Sequence, residues 1–328
     1  MMKNPLVVVA CLVVGTPVLA APPRPRPCQG QSPDRNGTRQ GTLLWGMSGE
    51  GVLASVALNG ARLKKKKLSD LHLEEGQLVA SSASHSLEGV VFQGKTLDGK
   101  SVEVALCRAE PDEMDPSLMR YQIEVWKPKQ AMWENPCMAT GAVSTPRALA
   151  VPGVWDARGA RQEVAGKFTF ACEAGAIAKC VEWGYKPWAE KDGKSLADIH
   201  RACTRMARAD YCGDGNSHTR DGNPIDVYDE RKVMTRSTVS SELWDVRRGS
   251  FEAAWSAEGA SCLSHTRDGR AVDEVMAECP DLFQKEDKDL GEGDQCTVVR
   301  KEVSAEKAPL RNQSYGAGEQ ALLQGAAR

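Results

Sequence analysis

The strongest constraint on this chain is its cysteine set. Eleven cysteines are present, and one of them, Cys11, lies in an apolar amino-terminal segment. The other ten are Cys28, Cys107, Cys137, Cys172, Cys180, Cys203, Cys212, Cys262, Cys279 and Cys296. An even set in an exported chain predicts a disulfide framework. Spacing does not give the connectivity, because ten cysteines can pair in hundreds of ways. The zinc alternative is poorly served, since structural zinc sites favour Cys-x-x-Cys pairs and the sequence has none.

Export is read from residues 1–20. Lys3 supplies a positive end, Pro5–Val14 is almost wholly apolar, and Gly15-Thr16-Pro17 breaks the segment before Val18-Leu19-Ala20. This is the order of a secretory signal peptide, too short and too broken for a stable span. Cleavage is expected after Ala20 or Ala21. Val8-Val9-Ala10-Cys11 also has the look of a bacterial lipobox, which would place a lipid anchor on Cys11. The predicted location is therefore secreted, periplasmic or cell-surface, with no transmembrane span.

Composition explains why the bridges matter. Leu, Ile, Val and Phe make up only about 17% of the residues after position 20. The formal charge of −2 is far from the strong excess that would mark a disordered chain or a basic nucleic-acid binder. Disulfides are expected to offset the lean core, at roughly 2–4 kcal/mol each.

Five segments are expected along the chain: a signal peptide at 1–20, a mobile proline-rich leader at 21–40, a β-rich domain at 41–140, a cysteine-rich domain at 150–297 and a disordered tail at 298–328. In the first domain Asn59-Gly60 has the composition of a hairpin turn between Val56–Leu58 and Ala61–Leu63. Val102, Val104 and Leu106, then Tyr121, Ile123 and Val125, alternate with polar residues as half-buried strands do. Thr140–Gly153 has the composition of a connection. Beyond it, Phe168, Phe170 and Cys172 read as a strand and Ala174–Val181 as a helix. Ser195-x-x-Asp198 reads as the start of a helix ending near Ala209. Phe251, Ala253 and Trp255 suggest another strand, and Val272–Cys279 a short helix. The fold class is α+β, a β-rich amino-terminal domain followed by a disulfide-stapled mixed α+β domain.

The segment containing Ala209-Asp210-Tyr211-Cys212 resembles the bacterial ADYC domain family, named for that tetrapeptide. Thr169–Cys172, Ala178–Glu182, Gly184–Trp188 and Phe251–Trp255 look like further pieces of it, so the resemblance covers about residues 150–297. Asn223-Pro224 departs from the expected pattern, which has Thr after Asp221-Gly222. The resemblance implies an exported cysteine-rich domain and attaches no activity.

Chemistry-bearing residues cluster in an internal echo. Ser217-His218-Thr219-Arg220-Asp221-Gly222 recurs as Ser264-His265-Thr266-Arg267-Asp268-Gly269. A histidine with a nearby carboxylate can move protons near neutrality, so His218, Asp221 and Asp214 are candidate catalytic residues, with His265 and Asp268 as a second set. The plainer alternative is a pair of turns, because Asp-Gly favours them. Asp214, Asn216, Asp221 and Asp226 crowd oxygen donors as a calcium loop would, but the spacing does not fit an EF-hand. No cofactor is implied, and no nucleophile elbow, zinc-protease helix or phosphate loop occurs. Arg201, Arg205 and Arg208, or Lys64–Lys67, could meet an anionic glycan or headgroup, though the plainer reading of both is a solvated face. Trp183, Tyr185 and Trp188 could stack on sugar or pack a core. The reading is a non-catalytic binding or cell-envelope module, with an extracellular glycan or protein ligand possible; the alternative is a hydrolase or calcium-dependent enzyme.

Overall fold

The structure is a computed structural model that describes residues 24–29, 42–47, 51–82, 86–139, 145–220, 222–237 and 244–316. The expected signal peptide, Cys11 and Asp221 lie outside the described residues.

Six strands form a closed antiparallel barrel: β1 (Leu53–Leu63), β2 (Val90–Thr96), β3 (Ser101–Pro111), β4 (Met119–Lys127), β5 (Ala148–Pro152) and β6 (Lys167–Cys172). Each strand pairs with the next, and β6 returns to β1 through Val56↔Phe168. Alternation decides which side chains enter. Tyr121, Ile123 and Val125 are buried, as are Phe92, Val104, Leu106, Phe168 and Phe170. Phe92 meets Phe168 and Phe170 edge-on at 5.9 and 6.0 Å, and Tyr121 meets Phe170 at 5.8 Å. These contacts join strands that are not neighbours, so the rings fill the barrel, as a small barrel requires.

β5 and β6 lie beyond the boundary expected near 140–150. The expected connection is in part strand β5, whose Ala148–Val151 are buried on both faces. A strand covered on both sides shows no alternation, so its composition reads as a linker.

The Asn59-Gly60 hairpin is corrected. β1 runs straight through these residues, with a register shift between Ala57 and Arg62, and Gly60 takes a φ of +88°. The reversal lies at Lys64-Lys65, both with positive φ, where Arg62 and Leu63 pair with Lys67 and Lys66. Gly60 therefore serves a bulge that bends a long strand.

Two helices follow, α1 (Ala176–Glu182) and α2 (Ala197–Arg208). α2 buries Ile199, Cys203 and Met206 and ends at Ala209, which adopts the left-handed conformation with φ +49°. The Ser195 hydroxyl accepts from the Ala197 amide at 3.1 Å, so it supports the first turn without the full box. Next comes a six-stranded antiparallel sheet of β7 (Ile225–Asp229), β8 (Gly249–Ser256), β9 (Gly259–Leu263), β10 (Phe283–Asp289), β11 (Gln295–Arg300) and β12 (Leu310–Tyr315). Its order is β7-β12-β8-β9-β11-β10, with α3 (Val272–Glu278) between β9 and β10 in sequence.

The expected disordered tail is corrected as well. Residues 298–300 complete β11, and β12 sits between β7 and β8. Its polar sequence hides a central strand because Asn312 and Ser314 are fully buried and hydrogen-bonded. Residues from 317 lie outside the described residues.

All ten cysteines pair: Cys28–Cys107, Cys137–Cys172, Cys180–Cys203, Cys212–Cys279 and Cys262–Cys296. The leader is in part fixed, since residues 24–29 lie on the barrel through the first bridge. One apolar cluster runs from Leu53 of the barrel through α1 and α2 to Leu310 of β12, and a second, smaller one gathers Phe251, Ala254, Cys262 and Val299 in the second sheet. No described helix is long and apolar enough to cross a membrane.

Candidate functional site

The left-handed turn at Ala209 sends the chain back under α2. Asp210, fully buried, accepts from the amides of Gly213 and Gly215 at 2.9 and 3.1 Å and from Arg205 Nη1 at 2.5 Å. The following loop needs its glycines. A Cβ on Gly213 would stand 1.8 Å from the Glu258 carbonyl oxygen. Cys212 is bridged to Cys279 at the end of α3.

Tyr211 is the centre of the arrangement. Its hydroxyl donates to Glu252 Oε1 at 3.1 Å and accepts from the Arg267 amide at 3.0 Å. Burial pushes this phenol well above its ordinary pKa. Its ring stacks with Trp255 at 5.5 Å and with His218 at 6.0 Å. Arg267 and Glu252, both fully buried, pair through Nε at 3.0 Å from each carboxylate oxygen. Asn312 Nδ2 donates to Glu252 Oε2 at 2.8 Å, and Trp255 Nε1 donates to Asn312 Oδ1 at 2.7 Å. Burial alone would raise the Glu252 carboxyl, but Arg267 overrides it and holds the group below the ordinary range.

The two Ser-His-Thr-Arg-Asp-Gly copies take different environments. In the first, the His218 amide and the Ser217 hydroxyl both donate to the Arg208 carbonyl, at 2.9 and 3.0 Å. The His218 ring lies 3.9 Å from Asp268 Oδ2 and 3.8 Å from Glu278 Oε2. Both separations are too long for hydrogen bonds. Arg270 joins the two carboxylates, at 2.6 Å to Asp268 and 2.5 Å to Glu278. Desolvation, then Arg270, lowers the His218 pKa despite the acidic neighbours. A half-buried imidazole results, its protonated form disfavoured, beside two carboxylates that share one guanidinium. In the second copy, His265 Nε2 meets Ser314 Oγ at 3.0 Å, and burial lowers its pKa too.

So the predicted acid–base residues are regrouped across the echo: His218 meets Asp268 of the other copy, and His265 turns toward β12. Of the calcium candidates, Asp214 accepts from the Asn216 amide at 2.9 Å and from its side chain at 2.8 Å. Asp226 lies on β7 and accepts from the Ser237 amide at 3.0 Å.

The arginine stripe is corrected at two of its three residues, while Arg201 stays partly exposed beside Asp198 and Glu258. Arg205 and Arg208 are buried, and Arg205 Nε donates to the Ala257 carbonyl at 3.0 Å while Arg208 Nε donates to Thr42 at 3.1 Å. They satisfy backbone acceptors and offer no anion-binding face. Of the aromatic trio, Tyr185 is fully buried and donates to Asp229 at 3.1 Å, while Trp183 and Trp188 pack against the core. Glu252, Glu278 and Arg270 escaped sequence reasoning. Glu252 sat inside the Phe251–Trp255 strand pattern, where a lone acid among apolar residues was the available signal.

No curated protein and no solved structure matches the chain. The family model of the ADYC domain matches residues 84–269, from the approach to β2 through the end of the second Ser-His-Thr-Arg-Asp-Gly copy. The match takes in five of the six barrel strands as well as the tetrapeptide that everything around Tyr211 is built on, and the chain belongs to the ADYC domain family.

Proposed function

We propose that the chain is an exported, disulfide-stabilised, non-catalytic module that acts in extracellular binding or in cell-envelope structure. One observation carries this reading: the family tetrapeptide and its ionisable neighbours are consumed internally. Asp210 holds a turn, Tyr211 and Arg267 satisfy Glu252, and Cys212 is bridged. Groups committed in this way are unavailable to a substrate. The five bridges support an oxidising compartment, where such bonds persist. The intact mass of natively exported protein tests the export reading. A start at Ala21 or Pro22, with no alkylation under denaturing non-reducing conditions, is expected; a lipid on Cys11 would make the protein surface-anchored, and an uncleaved chain would contradict export.

A second reading rests on His218, whose half-buried ring faces Asp268 and Glu278. A hydrolase could use that imidazole as base, with Asp214 and Asp221 as its neighbours in the sequence. The readings separate on His218→Ala assayed against ester, glycoside and peptide substrates. An enzyme keeps its melting temperature and loses turnover. If the melting temperature falls instead, the histidine is structural. The calcium-dependent version predicts a melting temperature that rises on adding millimolar calcium.

A further inference from the structure

The reversal at the end of β1 gathers positive charge that the described fold does not neutralise. Five of the six residues 62–67 are cationic, Arg62 and Lys64–Lys67, in a chain whose formal charge is −2. All five are exposed, and among the described residues none of them makes an ion pair. Cations elsewhere have partners: Lys100 lies 2.6 Å from Asp98, Arg108 3.0 Å from Glu110 and Lys186 2.7 Å from Asp115.

These charges are held together against two local penalties. Arg62 and Lys67 stand directly opposite each other in the antiparallel register, where like charges repel. Lys64 and Lys65 occupy the two turn positions with φ of +48° and +70°, a region that favours Asn and Gly over long side chains. Lysines on an exposed edge deter unwanted strand pairing, which accounts for Lys66 and Lys67 in the two-residue return strand. It does not account for Lys64 and Lys65, which make no ladder contact. Strain held at a charged tip points to a use for the charge.

We propose that the Arg62–Lys67 hairpin tip docks on the headgroups of an anionic lipid bilayer. Strand alternation sends Arg62 and Lys67 to one face of the hairpin and Lys66 to the other, with Lys64 and Lys65 at the end. Charge on both faces and at the end suits a plane met tip-first, whereas a ligand in a groove engages one face alone. Four of the five are lysines, compact hydrated point charges that attract phosphates without the fixed fork by which arginine selects one anion. The apolar neighbours Leu63 and Leu68 are half-buried and buried, so residues 62–68 offer no aromatic platform for a sugar ring. Each cation near an anionic surface strengthens binding about fivefold, so the tip gives a weak, reversible association that a second anchor would make lasting. Which membrane face the tip meets rests on the export reading. Binding to lipid does not, so the intact mass and the vesicle assay fail separately.

The test is flotation of the natively produced chain with vesicles of phosphatidylcholine alone, or of phosphatidylcholine and phosphatidylglycerol at about 1:1. The chain should float with the mixed vesicles in preference to the neutral ones and be released at about 0.5 M salt. The double substitution Lys64→Asn with Lys65→Gly suits the turn's backbone, so it should keep or raise the melting temperature while weakening binding about 25-fold. Lys64→Arg with Lys65→Arg keeps the charge and should bind as the native chain does. The proposal is overturned if the native chain does not prefer anionic vesicles, if the Asn-Gly variant binds them as tightly, or if the arginine variant loses binding. Dextran sulfate holding the chain more tightly than vesicles of equal charge would overturn it too, and would assign the tip to a polysaccharide.

Discussion

Removing one partner from a buried ion pair leaves the other as an uncompensated charge. Arg267 and Glu252 are fully buried and linked through Tyr211 and Asn312, so Arg267→Ala strands Glu252 with two neutral donors. The expected loss is about 3–5 kcal/mol in a urea titration. Tyr211→Phe removes only a donor and an acceptor, for about 1–3 kcal/mol. Equal losses for the two would mean that the hydroxyl, not the charge, is what the site depends on. Buried histidines set a pH dependence. His200 is fully buried with Nε2 on the Ile177 carbonyl, and desolvation brings its pKa down to about 3 from 6.5. Below pH 6.5 the unfolded chain binds a proton that the folded chain refuses. Stability is therefore complete above 6.5 and falls as the pH drops toward 3, at up to about 1.4 kcal/mol per pH unit from this group. His218 and His265, also lowered, act in the same direction. Melting temperatures should be level from pH 7.5 to about 6.5 and fall from there to pH 4, and His200→Gln should flatten the slope. This residue scale was the least legible in the sequence. The tetrapeptide was visible, but its partners Glu252 and Asn312 are 41 and 101 residues or so further on, and nothing local announces that a polar side chain is buried.

At the scale of elements, legibility followed alternation. β3, β4 and α3 were readable because polar residues alternate with apolar ones along them, and α2 because its charged residues fall between apolar ones at helical spacing although Arg205 and Arg208 are buried, whereas β5 and β12 were not. β5 is dry on both sides, and β12 carries buried Asn312 and Ser314, so neither has the period that identifies a strand. Turn chemistry misled for a related reason: the residues that suit a turn best, Asn59-Gly60, serve a bulge, and two lysines make the reversal. That mismatch is correctable. Lys64 and Lys65 hold φ values of +48° and +70°, which suit Asn-Gly. The double substitution Lys64→Asn with Lys65→Gly should raise stability by about 1 kcal/mol, seen as a melting temperature a few degrees higher. The opposite is expected at Gly94. A Cβ there would lie 2.7 Å from Leu53 Cδ1 and 3.0 Å from Val104 Cγ2, inside the filled barrel. Gly94→Ala should cost about 1–3 kcal/mol.

On the whole-molecule scale, the lean composition and the shared core have to be reconciled. Two separate domains of this composition would each need a full apolar centre. The observed cluster instead continues from Leu53 and Phe92 through Ile177 and Met206 to Trp255 and Leu310. Cys180–Cys203 ties α1 to α2 within it, and Cys212–Cys279 ties the end of α2 to α3. A common core exposes less surface for the same number of apolar residues, and the bridges narrow the unfolded ensemble. With the disulfides intact, barrel and second sheet are then expected to unfold together. Calorimetry should give one transition whose calorimetric and van't Hoff enthalpies agree. Truncation after Pro309 tests the same coupling, because it removes β12 from the middle of the second sheet along with the Asn312 bond to Glu252. The barrel aromatics are expected to lose their near-ultraviolet signal in that truncated chain. A barrel that keeps its signal, or two resolved transitions in the intact protein, would mean that the shared cluster is contact between two independent folds.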